Sequence, residues 1–293
     1  MTPPVLIIVQ ARMASTRFPG KVLAPLLGQP MLLWQLDRLS RVQTPHTLVV
    51  GTSAAPENAP LVELCQRHGY RIQASTGIAE DDVLGRFHTI AEAYPEAQEI
   101  VRVTGDCPLI DPVIVDALIA QHRGHNMTDA LQRDGYWHTP IDHTGIAAEW
   151  PDGQDCEIFS RTALDLADVE ATASHDREHV TPWIWSQPEM FRCKTLPCPL
   201  DLSWMQTSVD TQDDLTMVQH LLDWILTDVG FSFGWRDIWR YIVKSPMLRV
   251  WQQRRPPRNQ AYVTQVGSGK TWEELRYRTR RTPSAFKAGI EGA

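Results

Sequence analysis

The chain has 293 residues, 43% of them hydrophobic, and a formal net charge of −7 at pH 7. That length and apolar fraction suffice for a sizeable core, and the acidic balance argues against nucleic acid as the main partner. No stretch reaches the apolar length of a membrane span, the passage into a strand directly after Met1-Thr2-Pro3-Pro4 sets the expectation of no leader, and the five cysteines, odd in number and without zinc spacing, read as reduced cytoplasmic thiols.

The first predicted element is Val5-Leu6-Ile7-Ile8-Val9, a continuous apolar run that reads as the central strand of a parallel sheet. The loop after it carries Arg12, Arg17 and Lys21 with Ser15, Thr16 and Gly20. Open α/β sheets bind ligands at the carboxyl ends of their strands. Three cations, two hydroxyls and outward-facing backbone N–H groups suit a polyphosphate. Lys21 is expected to be a solvated loop lysine whose loss costs little stability. Next come a helix near 31–41, a strand at 48–50, a helix at 60–68, a short strand at 71–72, a helix at 82–93 and a strand at 100–103. This alternation implies a mostly parallel sheet with helices on both faces. The last strand ends in Gly105-Asp106, and the chain passes Pro108 and Pro112 into a helix near 113–121. Asp106 therefore belongs at the same sheet edge as the first loop. A lone Asp there is ordinarily a cap or turn former. Beside a polyphosphate, a carboxylate needs an intervening cation, for which Mg2+ is the usual choice.

The pattern changes over about 125–174, where short segments with Gly, Pro and aromatics read as a small antiparallel insertion. A helix over 176–186 leads back to the sheet. Asp210 precedes a periodic helix with Leu215, Val218, Leu221, Leu222 and Ile225 on one face. Thr211 and Asp214 have the spacing of a helix cap and its return partner, which leaves Asp210 without a structural explanation. One domain over 1–250 and a basic C-terminal extension over 251–293 follow from composition. Gly267-Ser268-Gly269-Lys270-Thr271 is not a phosphate loop: Thr264 stands where the first Gly belongs, and no apolar strand precedes it.

Several motifs in order resemble one family. They are Val9 to Met13, Ser15-Thr16-Arg17, Pro19-Gly20-Lys21, Glu80 to Phe87, Thr104 to Asp111, Pro151-Asp152-Gly153, Arg177 to Pro182 and Val209-Asp210-Thr211. Together they resemble the cytidylyltransferases that activate acidic sugars as CMP-sugars, most closely the branch of spore coat polysaccharide biosynthesis protein F. The resemblance covers about the first three-quarters of the chain. Ala14 and Phe18 replace the more usual Gly and Leu, and the resemblance does not extend past about Trp235.

The resemblance implies a Rossmann-like, GT-A-like nucleotidyltransferase that moves CMP from CTP to a nonulosonate-like sugar acid in surface polysaccharide biosynthesis. It implies a homodimer, with the insertion covering the acceptor. On this reading Gln10 and Ala11 meet the base or ribose, and Arg12, Ser15 and Lys21 meet the triphosphate. Asp106 and Asp210 hold Mg2+. Arg12, Lys21, Asp106 and Asp210 form the catalytic set, with Asp106 also close to the nucleotide. Arg102, Arg177 and His179 are candidates for the acceptor carboxylate, although His179 is equally readable as a packed histidine. Two rivals remain. One is a transferase acting on a sugar phosphate, or a glycosyltransferase, although Gly105-Asp106-Cys107-Pro108 lacks a D-x-D motif. The other is a non-catalytic nucleotide-binding protein, against which Lys21, Asp106 and Asp210 argue.

Overall fold

The computed structural model describes residues 4–124 and 141–253. The expectations for Tyr136 to His138 and for the basic extension beyond residue 253 lie outside the described residues. Strand β1 (Val5–Gln10) is flanked on one side by β4 (His46–Ser53) and on the other by β6 (Glu99–Thr104), both parallel to it. Strand β5 (Arg71–Ser75) extends the β4 side. Side chains alternate across a strand, so β1 divides its apolar run between two cores. Val5, Ile7 and Val9 enter one, and Leu6 and Ile8 the other. A continuous apolar run is what a strand buried on both faces requires.

The first core is covered by helices α1 (Met31–Leu39), α2 (Ala59–Arg67) and α4 (Pro112–His122). The second is covered by α3 (Val83–Glu92) and α5 (Arg161–Glu170). The helix over 176–186 is instead two short pieces, α6 (Ser174–His179) and α7 (Pro182–Trp185). Val180 breaks them apart with φ +72°. Pro182 has no N–H to continue a helix from the preceding turn, and it opens the second piece at its first position.

The antiparallel region is present, but it extends the main sheet and is not set apart from it. Strands β7 (His143–Ile146), β8 (Cys156–Ser160) and β9 (Cys193–Leu196) complete a seven-stranded sheet in the order β5-β4-β1-β6-β8-β7-β9. Strand β8 is antiparallel to both β6 and β7, and β9 is parallel to β7. A two-stranded hairpin, β2 (Pro25–Leu26) with β3 (Gln29–Pro30), follows the first loop.

Helix α8 (Gln212–Asp228) begins with the expected box: Thr211 Oγ1 accepts from the Asp214 N–H at 3.2 Å, and Asp214 accepts from the Thr211 N–H at 2.9 Å. The chain beyond it is core. Helices α9 (Trp235–Lys244) and α10 (Pro246–Gln253) bury Trp235, Ile238, Ile242 and Leu248 in the first core. Two buried polar residues hold this end. Asp111 accepts from the Trp235 N–H at 2.7 Å. Arg38 donates to the carbonyls of Ile110 and Phe233, with its guanidinium 3.9 Å over the Phe233 ring. Among the described residues no helix is long and apolar enough to cross a membrane.

Candidate active site

Strand order reverses between β1 and β6, because the chain leaves β1 toward β4 and later returns to pair β6 on the opposite side. Such a switch point opens a crevice at the carboxyl ends of the two strands. Here Gln10 and Thr104 are register partners, and the Gly105 N–H donates to the Gln10 carbonyl at 2.8 Å. A Cβ on residue 105 would stand 2.9 Å from that oxygen, so the close approach requires glycine. A cleft of about 740 Å³ opens there. It is lined by Gln10 at the end of β1, by Ala11, Arg12, Ser15 and Lys21 from the first loop, and by Arg102, Asp106, His179 and Asp210.

The first loop is tied down from two sides. Asn58 accepts from the Met13 N–H at 2.8 Å and donates to Ser53 at the end of β4. Gly20, at φ +72°, donates its N–H to the Met13 carbonyl at 2.9 Å. Lys21 is thereby turned inward. Its Nζ donates to Asp106 Oδ2 at 3.2 Å, Asp210 Oδ1 at 2.9 Å and the Val209 carbonyl at 2.8 Å. Arg17 reaches the same Asp210 oxygen at 3.0 Å.

Asp210 arrives beside Asp106 through backbone pairing. The Val209 N–H donates to the Asp106 carbonyl at 2.8 Å. Upstream, the Asp152 N–H donates to the Met205 carbonyl, and the Thr207 N–H returns to the Asp152 carbonyl at 2.7 Å. Gly153, at φ +98°, lies against this stretch, where a Cβ would meet Ser208 N at 2.5 Å. Pro151-Asp152-Gly153 thus aligns the segment that delivers Asp210. The Asp210 N–H is satisfied by Asp214, which leaves the carboxylate to the site.

The electrostatics follow from this packing. Burial by itself lowers the Lys21 pKa, but Asp106 and Asp210 offset that and hold it above its ordinary value. Burial raises the Asp106 pKa, and the Lys21 charge with hydrogen bonds from Thr104, Lys21 and Cys107 brings it below the usual carboxylate value. His179 is pushed down to about 3 by burial and then by Arg102 and His175, so it is neutral at neutral pH.

The structure brings together Gln10, Ala11, Arg12, Ser15, Lys21, Arg102, Asp106, His179 and Asp210, as the sequence suggested. Two expectations are corrected. Lys21 is not a solvated loop lysine, since only 12% of its side chain is exposed. Arg177 does not line the cleft. It donates twice to Asp82, at 2.8 and 2.9 Å, and also to Asp168, tying the start of α3 to α5. Its donors are committed to those partners.

The model of one protein family, described as cytidylyltransferase, matches residues 6–253. The chain belongs to the cytidylyltransferase family. The spore coat polysaccharide biosynthesis protein SpsF of Bacillus subtilis is 30% identical over 225 residues, covering 74% of this chain and 85% of that protein. A 3-deoxy-manno-octulosonate cytidylyltransferase of Leptospira biflexa is 27% identical, covering 67% of this chain and 78% of the relative. A solved cytidylyltransferase from Leptospira borgpetersenii superposes with a TM-score of 0.72 at 25% identity, over 87% of this chain and 98% of that one.

The cytidylyltransferase also uses residues that their sequence context did not single out. Asn58 holds the first loop, Gln154 clamps the Leu109–Asp111 turn, and Glu157 faces Arg102. Only Glu157 carries a usable sequence signal, a charged residue inside the otherwise buried strand β8.

Proposed function

We propose that this cytidylyltransferase transfers CMP from CTP to a hydroxyl of an acidic sugar, releasing pyrophosphate, in the making of a surface polysaccharide. The observation that carries the reading is the placement of Lys21 between Asp106 and Asp210 at the switch-point cleft, with Arg102 at the end of β6. The acceptor class is supported by the relatives, whose names specify 3-deoxy-manno-octulosonate and a spore coat polysaccharide.

Transfer to the α-phosphate demands little covalent work from the protein. Positioning and neutralisation of phosphate charge supply most of the rate. Lys21, Arg12 and Arg17 present cations to the triphosphate, and Ser15 a hydroxyl. Gln10 and Ala11, at the carboxyl end of β1, are assigned to the ribose or base. Asp106 and Asp210 fit a hard cation, because both are oxygen donors and already share one positive group. Among the described residues no group of three His, Cys, Asp or Glu is placed to hold a metal. Two carboxylates completed by phosphate oxygens and water is the usual arrangement for Mg2+. In that role the ion supplies neutralisation of phosphate charge.

The test is pyrophosphate release with each nucleoside triphosphate against a panel of α-keto sugar acids, with thermal shift as an independent measure of nucleotide binding. CTP with a sugar acid is expected to give turnover. A purine nucleotide preference, or turnover only with sugar phosphates, would sink the reading.

A further inference from the structure

Arg102 and Glu157 are register partners across the antiparallel β6–β8 pair, and both line the cleft. Arg102 Nη1 donates to Glu157 Oε2 at 3.2 Å. Glu157 is only 5% exposed. A carboxylate buried to that degree is costly unless it is paired and hydrogen-bonded. Here the partners come from separate elements. Thr181 Oγ1, from the break between α6 and α7, donates to Oε2 at 2.9 Å, and His143 Nε2, from β7, lies 3.2 Å from Oε1.

The guanidinium so held is far from saturated. An arginine offers five N–H donors in a fixed fork. Beyond the Glu157 bond, Nη2 reaches Gln10 Oε1 only at 3.5 Å, and among the described residues buried Nε has no hydrogen-bond partner. Within the same cleft His179 is neutral, so it adds no competing cation. A planar fork with unused donors and a fixed orientation suits bidentate capture of a carboxylate.

We propose that Glu157 is a positioning residue that aims the Arg102 guanidinium at the carboxylate of the acceptor, with Thr181 and His143 holding Glu157 in place. The proposal rests on the reading of the cleft as a sugar-acid site. Holding the guanidinium before the substrate arrives spares the ordering cost of a long side chain and places the acceptor hydroxyl relative to the nucleotide.

Binding is read separately from turnover. The Arg102 Nε–H resonance, assigned by its loss in Arg102→Ala, is followed while CTP-loaded protein is titrated with 3-deoxy-manno-octulosonate, with pyruvate as a minimal α-keto acid and with their carboxamides. Both acids should shift the resonance saturably and the carboxamides should not. Glu157→Gln should weaken the acid midpoint at least about tenfold, the loss of one charge-assisted hydrogen bond, while the CTP midpoint stays within about twofold. Thr181→Val, which removes one bond to Glu157 at nearly constant volume, should weaken the acid midpoint less, and it carries the test if Glu157→Gln does not fold. By native-state binding of the acid, the Arg102→Ala/Glu157→Gln pair should be no worse than Arg102→Ala alone, because Glu157 acts through Arg102. The proposal is overturned if neither acid moves the resonance, if Glu157→Gln or Thr181→Val leaves the acid midpoint unchanged, or if the double substitution adds to the loss. Pyrophosphate release with the same proteins decides the proposed function, and it can fail while the binding result stands.

Discussion

Replacing Lys21 by Met tests whether the ammonium is the keystone of the ligand-free site. In place, it lies 3.2 Å from Asp106 and 2.9 Å from Asp210. At an effective dielectric of about 20, each contact is worth roughly 5 kcal/mol before desolvation. Removing one partner of a buried ion pair costs about 3–5 kcal/mol. The carboxylates keep 27% and 17% of their side-chain surface, so water relieves part of that, and we expect a loss of about 2–3 kcal/mol. Methionine preserves the packing of the stem. For a chain of this size the loss corresponds to a fall in Tm of about 3–5 °C. Mg2+ should then stabilise Lys21→Met more than the wild type, since it can stand between two carboxylates that have lost their cation. The pH range also follows. The Asp106 pKa is depressed below 3.8, so its contribution is present above that value and lost as pH falls through the folded value. The Lys21 pKa is raised above 10.5, so its contribution is present below that and lost as pH rises through the folded value. The stability difference between wild type and variant should be level from about pH 5 to 9 and shrink outside it. Thermal unfolding with and without MgCl2 across that range is the assay. A ligand-free Tm within a degree or two of wild type refutes the keystone argument, as does equal stabilisation of both proteins by Mg2+.

Asp106→Asn and Asp210→Asn should each remove most turnover in the pyrophosphate assay, and the double variant should lose little more, because the pair acts as a unit. Asp210→Asn should lower Tm less than Lys21→Met, since Lys21 keeps Asp106 and the Val209 carbonyl. Arg177→Ala should destabilise by about 2 kcal/mol through its lost charge-assisted bonds, measured by urea unfolding, while KM for the acceptor stays within about twofold. His179 is depressed from 6.5 to about 3, so the folded state resists a proton that the unfolded chain takes up below pH 6.5. The wild type should therefore lose stability on acidification from that point, and His179→Gln should show a flatter urea midpoint against pH. An unchanged slope would rule out His179 as a source of the acid sensitivity.

What the sequence disclosed depends on how local the cause was. Val5 to Val9 announced a strand buried on both faces because each of its faces meets a separate core. The Thr211–Asp214 cap was legible because its two halves lie three residues apart. Helix α3 was placed to within a residue at each end, and Asp82, at its start, caps it through the Gly85 N–H. Lys21 lines the cleft but was misread as solvated, because a carbonyl 188 residues downstream helps to bury it. That Arg177 stands outside the cleft was hidden for a related reason: Asp82, its partner, stands 95 residues away. The break at Val180 was missed because an apolar residue at φ +72° carries no compositional mark. Strands β7 and β9 are short and lie beyond β8 at the mixed edge of the sheet, where no long apolar run advertises them.

The same dependence on distant chain explains why the site is a single unit. Asp106 belongs to the turn after β6 and Lys21 to the loop after β1, and both would exist in a smaller parallel sheet. Asp210 comes from a segment with no strand of its own, held by Asp152, Gly153 and the Asp106 carbonyl. Without that segment, Lys21 would lose two of its three acceptors, the Asp210 carboxylate and the Val209 carbonyl. The Lys21–Asp106 pair would then be a partly exposed ion pair, worth about 0–1 kcal/mol. Those two acceptors turn it into a desolvated cation bracketed by two anions, and with Arg17 on Asp210 the charges balance without ligand, an arrangement still complementary to a polyphosphate with a divalent ion. A site of that kind keeps its geometry when empty, so the binding energy of the nucleotide need not be spent on assembling it.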